Sequence, residues 1–209
     1  MANEGATFYY SSKQLFDFQQ ACLFLENHHL SIRSPDTQLI SCINGSSEFI
    51  ETNQENIQEI IYNSQNAGVY LYLESGHRLF WSFVAQSNYF YQSFGFNYLD
   101  YLQIEEMVSK IFTKFALEEL IKIDEGFLGF TLDQFGTTDA YDFGEIFDQG
   151  NREILSSFYI SDITFLPKDK INRITLDDES KIIQLNENFD CIAKNKDLAD
   201  YLKSLLGKK

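Results

Sequence analysis

Asp139, Asp142, Glu145 and Asp148 recur at every third position, and such a run of carboxylates is where chemistry would first be sought in this chain. Two of them facing one cleft would form the acid and base pair that cleaves glycosidic bonds. A denser set would hold a hard cation. The spacing argues against both. On a helix of 3.6 residues per turn, a step of three drifts by about 60° around the axis, so the four groups would spread over half a cylinder. No D-x-D-x-D-G loop is present either, so no calcium site is expected.

The remaining motifs of catalysis are missing from the sequence. His28, His29 and His77 are the only histidines. The first two are adjacent and cannot point the same way along a helix, and neither an H-E-x-x-H nor a Cys/His zinc spacing occurs. There is no G-x-S-x-G elbow and no phosphate-binding glycine pattern. Asp142-Phe143-Gly144 matches a kinase tripeptide, but the glycine-rich loop, the strand lysine and the H-R-D loop that give it meaning are lacking. Cys22, Cys42 and Cys191 are odd in number and widely spaced, which reads as reduced, mostly buried thiols. The expectation is therefore a chain with no catalytic residues, no metal and no cofactor.

Charge points elsewhere. The 209 residues carry 31 Asp plus Glu against 16 Lys plus Arg, a formal charge of −15. Such a protein repels nucleic acid and anionic membranes and is drawn to basic surfaces. From Asp124 to Gly150 there are seven acidic residues and no Lys or Arg. Aromatic residues are interleaved with them, and aromatics supply contact energy while carboxylates steer encounter. The sequence thus nominates Asp133, Asp139, Tyr141, Asp142, Phe143, Glu145, Phe147 and Asp148 as a surface for a basic protein partner. A solvated acidic loop is the plainer alternative for the same stretch. The function class that follows is an acidic, cytoplasmic protein-binding inhibitor, of the kind bacterial immunity proteins represent, that occludes a basic toxin such as a nuclease. Two other classes stay open: an enzyme or small-ligand domain with an aromatic-lined pocket drawn from Tyr70, Tyr72, Trp81, Tyr89 and Tyr91, and a structural or assembly subunit. The N-terminus lacks a basic region followed by an apolar stretch, and no apolar run approaches 18 residues, so neither a signal peptide nor a membrane span is expected.

The elements that must position these residues follow from periodicity. Leu15, Phe18, Cys22 and Leu25 predict a helix over 11–29 opened by a Ser11/Gln14 capping box. Thr52 and Glu55 open a second helix over 53–66, closed by Gly68 in a left-handed conformation. Val69, Leu71 and Leu73 alternate with Tyr70, Tyr72 and Glu74, and Ser75-Gly76 turns this strand into another over 78–84. Ser34-Pro35-Asp36 and Asn44-Gly45 mark turns. Residues 88–98 suit either a strand or an aromatic loop. A long helix spans 101–123 with Ile104, Val108, Ile111 and Phe115 as its stripe. Residues 124–150 read as loop with short elements. Strands are expected over 154–166, 170–176 and 181–185, and Asn195 caps a last helix over 196–206. Together these predict one α+β domain over 1–209, an antiparallel or mixed sheet packed against about four helices, with 154–206 as a candidate subdomain.

Overall fold

The computed structural model describes residues 3–96, 110–119, 126–133, 145–147, 162–171, 176 and 178–207. Its strands are β1 (Asn3–Tyr10), β2 (Leu30–Ser31), β3 (Ile40–Ile43), β4 (Phe49–Thr52), β5 (Asn66–Leu73), β6 (Arg78–Ala85), β7 (Phe90–Phe96), β8 (Phe127–Leu132), β9 (Ile163–Pro167), β10 (Lys181–Gln184) and β11 (Phe189–Ala193). The helices among the described residues are α1 (Phe18–Asn27), α2 (Gln54–Asn63), α3 (residues 110–119), α4 (Lys168–Ile171) and α5 (Lys196–Leu206), with single 3-10 turns at Lys13–Leu15 and Glu145–Phe147.

All eleven strands join one sheet, in the order β10-β11-β9-β8-β1-β7-β6-β5-β3-β4, with β2 beside β5. Every pairing is antiparallel. This corrects the expected fold class: the protein is dominated by one large antiparallel sheet, and the helices are the minor partner. The reason lies in the middle of the sheet. β1 sits between β7 and β8, and both of its faces are covered, so Phe8 and Tyr10 are buried on one side and Thr7 and Tyr9 on the other. A strand buried on both faces shows no apolar/polar alternation. β8 (FLGFTL) is hidden for the same cause, inside a segment read as loop.

The first face holds the main core. Ala6, Phe8 and Tyr10 of β1 point to the same side as Trp81 and Phe83 of β6, Phe94 of β7 and Phe130 of β8. Trp81 is stacked between Phe18 of α1 at 5.4 Å and Phe94 at 5.1 Å. From α3, Phe112 lies on Phe94 at 4.2 Å and Phe115 on Phe8 at 5.0 Å. Aromatic pairs of this kind add about 0.5–1.5 kcal/mol each beyond area burial. α2 contributes Ile57 and Ile61, and α5 contributes Ala199 and Leu202.

A chain of polar groups crosses this core. Trp81 Nε1 donates to Gln92 Oε1 at 2.8 Å, Gln92 Nε2 donates to the Tyr10 oxygen at 2.8 Å, and the Tyr10 hydroxyl donates to Glu119 Oε2 at 3.0 Å. All four residues are buried. Each step satisfies a group that would otherwise be desolvated without compensation.

The second face carries a row of hydroxyls across five neighbouring strands: Ser82, Ser93, Thr7, Thr131 and Thr164. Beside it runs an apolar patch of Tyr9, Tyr89, Tyr91, Leu166 and Ile192, capped by Ile146 and Phe147.

Several local expectations shift. α1 does not begin at Ser11. Ser12 caps the 3-10 turn, Phe16 adopts extended backbone, and Asp17 Oδ1 accepts from Gln20 N at 3.0 Å to start α1. The break seats Phe16 among Phe18, Trp81, Phe83 and Phe90. α2 is capped by Asn53, whose Oδ1 accepts from Asn56 N, not by Thr52. Gly68 closes no helix: it lies inside β5, paired with Ser82. Residues 168–171 are helical where a strand over 170–176 was expected, because β9 ends at Pro167 and the chain turns at once. The β5–β6 hairpin forms as expected, with Gly76 at φ +86 in its turn. The Asn195 cap also forms, its Oδ1 accepting from Leu198 N at 3.0 Å.

Candidate protein-interaction surface

β4 is the outermost strand at one end of the sheet. It follows β3 through a turn in which Asn44 Oδ1 accepts from Ser46 N and Glu48 N. Along β4, Thr52 is buried and Ile50 packs against the main core. Alternation then sends Phe49 and Glu51 to the second face, where both are exposed. Phe49 is 62% exposed, which is unusual for a side chain of that size on a regular strand.

Phe49 is the first of a strip of aromatic rings. Its ring lies 6.5 Å from that of Tyr70, and Tyr70 lies 5.2 Å from Phe80. Arg78 covers Tyr70, its guanidinium carbon 5.7 Å from the ring centre. The strip depends on Gly68. A Cβ there would stand 2.1 Å from Phe80 Cζ, so the ring occupies the space a side chain would take. Tyr70 and Phe80 are half-buried, and they face away from Val69, Leu71, Leu79 and Trp81, which fill the core.

Carboxylates predominate in the chain that builds this end, against Arg78 over Tyr70 and Arg33 bonded to Gln54. Residues 34–77 contain no Lys or Arg. Asp36, Glu48, Glu51, Glu59 and Glu74 from this stretch are all exposed. Glu48 is fixed beside the strip by Asn44 Nδ2, which donates to Glu48 Oε2 at 3.0 Å. This end of the sheet thus presents one exposed ring, Phe49, beside the exposed carboxylates of Glu48 and Glu51.

No family model, curated protein or solved structure matches this chain. The surface is therefore read from its own chemistry.

Of the residues nominated from sequence, two lie where a partner cannot reach them as expected. Phe147 is 9% exposed and packs on Tyr9 at 5.3 Å, over the backbone of Gly129. Its burial is driven by the apolar patch on the second face, which the loop reading did not supply. Asp133 is 5% exposed and follows directly on β8, its N–H donating to the Gly5 carbonyl at 2.8 Å. The backbone of Glu145 opens the 3-10 turn before Phe147. Asp139, Tyr141, Asp142, Phe143 and Asp148 lie outside the described residues.

Among the described residues the five aromatics nominated for a pocket are dispersed. Trp81 is in the main core, Tyr89 and Tyr91 are in the patch under Phe147, Tyr70 is in the surface strip, and the Tyr72 hydroxyl donates to Ser41 Oγ at 3.0 Å. Tyr72 alone lines an open cleft of about 430 Å³, with Glu26, His29, Arg33, Gln38 and Glu74. There His29 Nδ1 meets Glu74 Oε1 at 2.9 Å, while Arg33 donates to the Gln38 carbonyl and to Gln54 Oε1.

Among the described residues no three His, Cys, Asp or Glu side chains form a metal-binding group, and no helix is long and apolar enough to cross a membrane. The three cysteines are free and buried. Burial, aided by Glu26 and Asp17, pushes the Cys22 thiol up to about 12.

The signal that sequence reading passed over is the 34–77 stretch. It is as free of positive charge as 124–150, but its carboxylates are diluted by Ser, Asn and Gln and do not read as a run.

Proposed function

We propose that this protein is an acidic inhibitor of the immunity-protein kind, which neutralises a basic toxin domain in the bacterial cytoplasm by covering its active surface. The observation that carries this reading is the exposed Phe49 ring, backed by half-buried Tyr70 and Phe80, with Phe49, Glu48 and Glu51 in a stretch (34–77) that has no Lys or Arg. Rings of this size supply contact energy once water is excluded, and the carboxylates accelerate encounter with a cationic surface. The acidic segment with Asp139 and Asp142 is proposed to extend the same attraction.

The test is to express any basic domain found in a neighbouring reading frame and to follow its association with this protein by stopped flow at several salt concentrations. The association rate should fall steeply with salt. Glu48→Lys with Glu51→Lys should slow association about tenfold or more, and Phe49→Ala should speed dissociation. Charge reversal at Asp139 and Asp142 measures the contribution of the second segment. Rates that ignore salt and all these substitutions would overturn the reading.

A further inference from the structure

β4 has an open edge as well as an acidic face. In its hairpin, Asn44 N donates to the Glu48 carbonyl at 3.1 Å, so Asn44 and Glu48 form a hydrogen-bonded pair. Such pairs alternate along an antiparallel ladder. With the register Cys42↔Ile50 and Ile40↔Thr52, these pairs bond to β3, while Ile43↔Phe49 and Ser41↔Glu51 do not. The N–H and C=O groups of Phe49 and Glu51 therefore point outward, where no strand follows among the described residues. An edge of this kind is a template for another chain unless it is blunted. β4 contains no proline and no bulge. Among the described residues its guards are its four-residue length and the charges of Glu48 and Glu51.

We infer that β4 takes up an extended strand of the partner, which continues the sheet and places a basic side chain against Glu51 and an apolar one against Phe49. This inference rests on the proposed basic partner and specifies how it is held. Main-chain bonding at a sheet edge gives affinity, and alternate side chains give specificity. The two side chains that an added strand would meet on this face are Phe49 and Glu51, an apolar ring and a carboxylate two residues apart. The matching strand alternates basic and apolar residues on the same face.

Charge also selects against the competing occupants. A second copy pairing β4 to β4 would bring no cation to Glu51 and would add its own Glu48 and Glu51 to the same edge. The opposite edge of the sheet, β10, exposes Ile182 to 52% but carries Lys181 beside it, which repels a basic strand. Pairing of β4 with β10 of another copy would not close and would grow as a filament.

The experiment uses the whole protein and a blocked heptapeptide, Lys-Thr-Val-Thr-Lys-Thr-Val, whose lysines and valines alternate on one face, followed by amide NMR. The peptide should bind, protect the Phe49 and Glu51 amides from exchange, and weaken with salt. The same peptide N-methylated on the edge that faces β4 keeps its charge but cannot pair, and it should bind about tenfold more weakly, the loss that one or two hydrogen bonds represent. Glu51→Pro should do likewise. Its N–H faces outward, a position where an edge strand accepts proline.

Equal binding of the methylated peptide overturns strand addition, and this control stands even where the proline variant fails to fold. Absence of peptide binding at millimolar concentration also overturns it. Growth of light scattering with protein concentration, abolished by Glu51→Pro, would assign the edge to a second copy and overturn the inference. Glu48→Gln with Glu51→Gln separates the two ideas. If it weakens both peptides while the plain and methylated forms bind equally, the acidic surface stands and the strand pairing falls. If it affects neither, the acidic surface itself fails.

Discussion

The Tyr10 hydroxyl and the Glu119 carboxylate meet at 3.0 Å in the core, joining the central strand to α3 across 109 residues of sequence. Tyr10 is held from its other side by Gln92. Burial, then the negative charge of Glu119 and the hydrogen bond to it, raises the Tyr10 phenol well above its usual value of about 10.

Tyr10→Phe should lower stability by about 1–3 kcal/mol in urea denaturation, because Glu119 and Gln92 each lose a buried partner. The pH dependence has a definite sign. A folded phenol with a raised pKa holds its proton after the unfolded chain has lost it. This stabilisation is complete below about pH 10 and declines as pH rises from there toward the folded value. Wild type should therefore lose stability more steeply than Tyr10→Phe above pH 10.

The hydroxyl row offers a contrast between two threonines. Thr7 Oγ1 and Ser93 Oγ share a buried hydrogen bond of 2.9 Å. Thr164 is 0% exposed and its Oγ1 has no hydrogen-bond partner among the described residues. Thr7→Val should cost about 1 kcal/mol, whereas Thr164→Val should be neutral or stabilising by up to about 1 kcal/mol. Paired denaturation curves decide it, and a large loss for Thr164→Val would show that its hydroxyl is bonded.

Gly68 and Phe80 should be energetically coupled. Gly68→Ala drives the Phe80 ring out of its seat and should cost about 1 kcal/mol, in the lower range for overpacking because the ring can swing toward solvent. In a Phe80→Ala background the same change should be neutral or favourable. A double-mutant cycle reads this coupling directly.

The thiols should be silent in the native state. Cys22, Cys42 and Cys191 are buried, and burial pushes both the Cys22 and the Cys191 thiols up, away from the reactive thiolate. At pH 8 an aromatic disulfide reagent should label all three at the rate of unfolding. Fast labelling of any one in the folded protein would contradict this placement.

Local chemistry was enough for some elements. The Asn195 cap, the Leu198 and Leu202 stripe of α5, and the alternation of β5 into a Gly76 turn are written in neighbouring residues. Elsewhere the deciding partner is remote. β1 and β8 lack alternation because each is buried on both faces. The chain breaks at Phe16 because the core around Trp81 receives that ring. Gly68 resembles a helix terminator until Phe80 is seen lying across it.

The same division runs through the candidate surface. Net charge, the lack of catalytic motifs and the abundance of rings are properties of composition, and sequence alone determined them. Which rings reach solvent was decided by tertiary structure. Phe147, expected at the surface, is drawn onto Tyr9 because the second face needs cover. Phe49, half of an apolar pair with Ile50 between Glu48 and Glu51, is exposed because its strand falls last in the sheet order. Strand order follows from pairings between residues far apart in the chain, and no local pattern encodes which edge is left open.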